Sequence, residues 1–270
     1  MTGETIGANA IQEAADRLWQ AWETGTPCAP IRDLIGADDI EAGYAVQEVN
    51  TKRWLGGEER VLSGRKIGLT SVSVQRQLGV DQPDYGMLYA DMEVMDGEEI
   101  APGRVMQPKV EAEIAYVIAA PLTGGHITMV DLMASIGYVV PAIEIVGSRI
   151  AGWDIRLADT VADNGSSALY TLGQVPKRLG DFDPRLCGMV MFRNNEPVST
   201  GVGAACMGSP LNATLWLART MARAGRPLGP GDLVLSGALG PFVTAEPGDV
   251  FEAHINGLGS VRAAFGRETA

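Results

Sequence analysis

The chain has little of what redox, zinc and nucleic-acid sites are usually built from. Its 270 residues include three cysteines, Cys28, Cys187 and Cys206, and two histidines, His126 and His254. Three widely spaced thiols make neither a disulfide framework nor a cysteine-rich zinc site, so a reducing cytoplasm fits best. The two histidines form no zinc-ligand motif with the acids and read as surface or structural residues. Basic charge is scarce too, with 21 Lys and Arg against 33 Asp and Glu, a formal charge of −12. Without a basic stripe, nucleic acid is excluded as a partner. No window reaches the ~18 apolar residues of a membrane span. The start, Met1-Thr2-Gly3-Glu4, lacks the basic and apolar regions of a signal peptide. A protein with no membrane partner and a cytoplasmic location is expected. P-loop, dinucleotide fingerprint and nucleophile elbow are all missing, which disfavours an NAD-dependent enzyme and a serine hydrolase.

What is present is a compact chain, 46% hydrophobic and 20% charged, organised as one large domain or as a main domain with a smaller helical one. Ile11, Ala15, Leu18 and Trp22 recur at helical spacing before Gly25 and Pro27. A second helix is expected from Asp38, with Glu41 as its capping pair, ending at Gly56-Gly57. The two helices are expected to form an N-terminal hairpin, with Trp19, Trp22 and Trp54 as packing residues. The character then changes. Residues 61–69 read as a strand interrupted by glycines, Thr70 or Ser71 as the cap of a short helix through Val74 and Leu78, and residues 79–86 as a polar loop. Thr128 and Asp131 cap a further helix. Strands are expected over 138–146, 166–172 and 186–192. Residues 193–196 read as a turn, and Pro197 argues against a central strand after it. Pro210 opens the strongest late helix, Gly225 ends it, and four strands follow between Asp232 and Phe265. This is not βαβ repetition. The expected fold is α+β, a mixed-β roll or distorted barrel-like core with an N-terminal helical region.

The chemistry centres on Val110-Glu111-Ala112-Glu113-Ile114, where two acids head an apolar run. On a strand, residues i and i+2 share a face, so both carboxylates aim at one point. Glu144 places a third acid inside another apolar strand, Pro141–Val146. Burying such acids costs several kcal/mol each, roughly, unless something pairs with them. Three of them make a cage for a hard divalent cation, Mg2+ or Mn2+, with positions left for water or substrate. The bland alternative is an exposed acidic pair at a sheet edge. Lys66, in Gly64-Arg65-Lys66-Ile67-Gly68, reads as an acid/base, a holder of a substrate carboxylate, or a solvated charge. Asp84 is its natural partner or an Asx-turn residue. Ser166 is a substrate hydrogen-bond donor or a plain strand start. The glycine-rich segments 201–208 and 237–240 are candidate backbone donors near an anion.

The ordered set GRKIGLTS (64–71), LGVDQPDYG (78–86), QPKVEAEIA (107–115), VVPAIEIVGSRI (139–150), DTVADNGS (159–166) and SGALGP (236–241) resembles the bacterial 2-hydroxypenta-2,4-dienoate (2-oxopent-4-enoate) hydratases of the fumarylacetoacetate-hydrolase-like superfamily. The resemblance runs from about residue 8 to 266 and divides the chain into a helical region, 1–60, and a catalytic core, 61–270. It implies metal roles for Glu111, Glu113 and Glu144, acid/base roles for Lys66 and Asp84, and substrate contact for Ser166. It also implies a homo-oligomer, a complex with other enzymes of the pathway, and a role in meta-cleavage catabolism of aromatic compounds. The substrate would be a small 2-oxo or 2-hydroxy dienoic acid. The competing readings are a 4-oxalocrotonate decarboxylase, a longer dicarboxylate hydratase, and a noncatalytic partner of a decarboxylase.

Overall fold

In the computed structural model, residues 6–57, 60–71, 75 and 82–267 are described. The short helix expected through Val74 and Leu78, and the opening of the loop at 79–81, lie outside them. Helices α1 (Ala8–Thr24), α2 (Arg32–Ile35) and α3 (Ile40–Gly56) come first. The N-cap of α3 is Asp39 rather than Asp38: its carboxylate accepts from the Ala42 N–H, so the cap keeps its three-residue spacing but starts one residue later than expected. α1 and α3 pack together as expected, and Asn50 Nδ2 ties them by donating to Ala15 O at 3.0 Å. Their apolar faces do not close on each other alone. Ala14, Leu18, Ile31, Ile35 and Val46 share a buried cluster with Ile150, Ala158 and Ala162, the last two from α5 (Leu157–Ala162). Trp19, Trp22 and Trp54 stack with centroids 5.1–6.0 Å apart, but Trp22 stays 39% exposed, so this cluster is only half inside.

Two mixed sheets form the rest. Strands β1 (Leu62–Gly68), β2 (Asp84–Tyr89), β4 (Lys109–Ile118), β5 (Ile136–Val146), β6 (Ser167–Leu172) and β9 (Leu233–Leu235) run in the order β2-β1-β9-β4-β5-β6, and β10 (Val243–Thr244) also pairs with β4. Only β1–β9 is parallel in this sheet. The second sheet has the order β3 (Glu99–Ile100), β12 (Gly259–Phe265), β11 (Val250–Ile255), β7 (Gly188–Arg193), β8 (Glu196–Val202). β11 and β12 pack on β5, and one large apolar cluster fills the curl between the sheets. This is the expected α+β mixed-β roll, open on one side as a half-barrel.

Local chemistry explains most element ends. Thr128 and Asp131 close a capping box on α4 (Met129–Ser135). Asn194 and Asn195, both at positive φ, make the tight turn between β7 and β8, and Pro197 lies in the edge strand β8, where a missing ladder N–H is tolerated. Pro210 opens α6 (Pro210–Arg223), and all four late strands are present. Two expectations shift. Asp84, Tyr85 and Gly86 are strand rather than loop, because β2 pairs with β1 along its whole length. Ser166 is not a strand start: Asn164, Gly165 and Ser166 are successive left-handed residues at φ 56°, 61° and 57°, and β6 begins at Ser167.

Candidate metal centre and its acid/base neighbours

The strands β4 and β5 are flanked on both sides within the sheet. Their register sets Glu111 opposite Glu144 and Glu113 opposite Ala142. Period-2 alternation along β4 and direct pairing across to β5 therefore put all three acids on one face. One carboxylate oxygen from each lies within 4.8 Å of those of the other two. Oxygens sharing one hard cation at ~2.1 Å stand no more than ~4.2 Å apart, so little closure is needed. Glu113 and Glu144 are fully buried, while Glu111 is half-buried and marks the open side.

Like charges facing each other across strands are destabilising without a counter-charge. Here the shortfall is visible atom by atom. Glu113 Oε2 accepts the Gly237 N–H at 2.8 Å, but Glu113 Oε1, both Glu144 oxygens and Asp84 Oδ1 are buried without a hydrogen-bond partner among the described residues. Buried polar atoms are normally satisfied, so this concentration of orphans fits a ligand set for a hard divalent cation. Gly237 sits at φ 101°, and this conformation aims its N–H at the carboxylate. The glycine-rich 237–240 segment thus does put a backbone donor on an anion, and the anion is the chain's own glutamate.

Lys66 reaches this face from β1, where it pairs with Leu235 of β9, which in turn pairs with Ala115 of β4. Its Nζ lies 3.2 Å from Glu144 Oε1, an ion pair by distance though not aligned as a hydrogen bond. Asp84 on β2 pairs with Gly68 and lies over it, close enough that a Cβ at Gly68 would sit 2.2 Å from the carboxylate. Only glycine at 68 leaves room for Asp84.

Burial dominates the ionisation of every acid in the group. It raises Glu111 to about 7, with the charge of Glu144 adding to the rise. Burial lifts Glu113 far above the carboxylate range, reinforced by Glu144 and Glu111. Glu144 and Asp84 are also raised by burial, and Lys66 pulls both back down. For Lys66, burial opposes the charge, but Glu144, then Asp84, Glu111 and Glu113, outweigh it and hold the ammonium protonated.

Ser166 lies apart from this group in its hydrogen bonding: its Oγ is 3.2 Å from Thr160 Oγ1. The left-handed turn that carries it packs on β2 and touches β1. Asn164 locks that turn by exchanging both amide hydrogen bonds with Met87, 2.7 Å to its N–H and 2.9 Å to its C=O. Arg149, buried against Asp163, ties down the residue before it. Such strain persists only where the surroundings over-determine it. Asn164 and Arg149 are not singled out by residue type or spacing, whereas Gly237 falls in the glycine-rich segment that is. His126 and His254 both lie at the surface, as expected. A wide cavity of about 1030 Å³ lined by Pro141, Met189, His254 and Gly257 includes none of the carboxylates.

The fold and this carboxylate cluster go together in one class of protein. Residues 66–265 match the family described as fumarylacetoacetate (FAA) hydrolase, C-terminal. The chain is 62% identical over 264 residues to a TodF product hydratase of Pseudomonas putida F1, covering 98% of each. It is 54% identical over 254 residues to a 2-keto-4-pentenoate hydratase of Paraburkholderia xenovorans, covering 94% of each. Among solved structures it resembles 4-oxalocrotonate decarboxylase from Pseudomonas putida G7, complexed with magnesium and adipate, with a TM-score of 0.90, 32% identity, and coverage of 97% of this chain and 100% of that one. The chain belongs to the fumarylacetoacetate-hydrolase-like superfamily and, within it, to the 2-keto-4-pentenoate (2-hydroxypenta-2,4-dienoate) hydratase family. No helix among the described residues is long and apolar enough to cross a membrane.

Proposed function

We propose that this protein is a divalent-metal-dependent hydratase that converts 2-hydroxypenta-2,4-dienoate to 4-hydroxy-2-oxopentanoate. The observation that carries it is the placement of Lys66 Nζ, 3.2 Å from Glu144 Oε1, beside three converging carboxylates with orphaned oxygens. Identity to the named hydratases supports the choice of reaction. Glu111, Glu113 and Glu144 would hold the cation, and all-oxygen donors favour Mg2+ or Mn2+. Bound there, the cation would supply Lewis acidity, withdrawing electron density from the 2-oxo acid. Lys66 is the proton donor in reach: as the 2-hydroxyl loses its proton, one is delivered to C5, giving the 2-oxo-3-enoate. Asp84, raised by burial and set against Lys66, accepts the proton that the 2-hydroxyl loses and passes it to Lys66, which restores the pair. Water then adds at C4 and a proton at C3. Ser166, fixed by its left-handed turn, contacts the substrate. A homo-oligomer and association with neighbouring pathway enzymes belong to the same reading.

The likeness to 4-oxalocrotonate decarboxylase favours one alternative, in which the same site stabilises the enolate left by loss of carbon dioxide. A product-resolved assay decides between them. Purified protein, stripped of metal and resupplied with Mg2+ or Mn2+, is offered each substrate. Hydration keeps every substrate carbon; release of carbon dioxide from 4-oxalocrotonate, or turnover indifferent to metal, would overturn the hydratase assignment.

A further inference from the structure

One charged group beside this centre takes no part in the mechanism above. Along β4 the face that carries Glu113 and Glu111 continues outward to Lys109, two residues on and about 7 Å further along the strand. Exposure follows the same direction, from the fully buried Glu113 to the half-buried Glu111 and Lys109. Lys109 is not a loose surface charge. Its Nζ lies 4.0 Å from the ring centroid of Trp153 and 4.3 Å from that of Phe242. Its ammonium makes no salt bridge or hydrogen bond to another side chain or carbonyl among the described residues, so none of its three N–H donors is committed within the protein.

The Trp153 ring is held by a hydrogen bond, and the half-exposed Phe242 is placed by its backbone. Phe242 immediately precedes β10, whose register pairs Val243 with Val110 and Thr244 with Lys109 itself. Trp153 donates its indole N–H to Gln107 O at 3.0 Å. The Gln107 side chain bonds Ser148 O, Ile150 O and the Gly152 N–H. Gln107 and Trp153 both adopt left-handed backbone, at φ 51° and 55°. Two strained residues are thus spent on placing one ring against one ammonium, and such strain concentrates at ligand clamps. Cation–π contact fixes the ammonium without consuming its hydrogen bonds.

The local field supplies the reason for a cation here. With all four carboxylates ionised, a divalent cation and Lys66 still leave the pocket formally net negative, which disfavours an anionic substrate. We propose that Lys109, clamped by Trp153 and Phe242 at the mouth of the site, binds the carboxylate of the incoming 2-oxo acid and sets the preference for anionic substrates. This rests on the hydratase reading for its substrate class, but not for its test.

The test uses full-length protein loaded with Mg2+ and 2-oxopentanoate, the saturated analogue, titrated by calorimetry into wild type, Lys109→Met and Lys109→Arg. A charged hydrogen bond is worth about 10–100-fold in affinity. Lys109→Met is expected to bind 2-oxopentanoate ~10–100-fold more weakly, with Lys109→Arg recovering most of the loss. With substrate, the Met variant's loss is expected to fall on KM rather than kcat. Mn2+ affinity without organic ligand should not weaken, because a positive charge has been removed from its neighbourhood. Wild-type affinity for 2-oxopentanoate in Lys109→Met would overturn the proposal, and so would a parallel loss of Mn2+ binding or a wild type that does not bind 2-oxopentanoate. A wild type that binds 2-oxopentanoate through Lys109 yet hydrates nothing would overturn the hydratase reading and keep this one.

Discussion

Asp159 and Glu144 are both acids with no exposed surface, yet they sit in opposite circumstances. Asp159 accepts four hydrogen bonds, from the N–H groups of Ile31, Arg32 and Arg156 and from the Arg32 guanidinium at 2.7 Å. It knits α2 to α5 and has no capacity left over. Glu144 accepts none among the described residues, faces Glu111 across the strand pair, and has only the nearby charge of Lys66. Burial alone therefore does not mark a functional acid. A satisfied buried acid is a staple, while an unsatisfied one among its like is a ligand waiting for a counter-ion.

The comparison breaks most visibly if the staple is removed. Asp159→Ala leaves three N–H groups without their acceptor and Arg32 with Asp154 alone, and should cost about 3–5 kcal/mol in urea unfolding, with Mn2+ affinity unchanged in the folded fraction. Glu144→Gln should do the reverse. Turnover of the dienoate falls more than ~100-fold, the range already reached by disturbing groups that merely support metal ligands, and Mn2+ binding is lost. The metal-free melting temperature should fall far less than in Asp159→Ala, since relief of repulsion from Glu111 and Glu113 offsets the lost Lys66 pairing; an equal fall would place Glu144 with Asp159 instead.

Acidity sharpens the same contrast. Burial raises Glu111 to about 7 in the folded chain, above its ordinary 4.5. The folded state therefore keeps a proton that the unfolded state gives up, and metal-free stability should fall as pH rises from about 4.5 to about 7. A cation competes with that proton, so Mg2+ affinity should weaken about tenfold from pH 8 to pH 6 in calorimetric titration. A flat affinity over that window would remove Glu111 from the ligand set. The smallest effect belongs to an exposed pair. Asp33, 2.8 Å from Arg17 at the surface, should cost under ~1 kcal/mol when changed to Ala, and that cost should shrink in high salt.

How much of this was legible in the residues follows from the range over which each signal acts. Glu111 and Glu113 were legible because strand periodicity is local, and Glu144 because an acid in an apolar run is conspicuous. The Thr128 capping box, the Asn194-Asn195 turn, the edge position of Pro197 and the start of α6 at Pro210 are likewise local chemistry. Lys66 beside Glu144 was not legible. That meeting is made by β9, some 170 residues further along, inserted between β1 and β4. Ser166 looked like a strand start because nothing in its neighbours announces three left-handed residues; the Asn164–Met87 pairing that enforces them is long-range. Lys109 shares the period of the two glutamates and was within reach of the same reasoning, but Trp153 and Phe242, which give it meaning, converge only in three dimensions.

The insertion of β9 also governs when the site comes into being. In the sheet order, the Lys66–Asp84 hairpin joins the carboxylate strands only through Leu233, Val234 and Leu235. During synthesis the acids, the lysine and the aspartate all leave the ribosome well before this short segment exists. Contacts of such separation close late and slowly. A nascent chain ending before residue 233 would carry every candidate catalytic group and lack the strand that assembles them into one site.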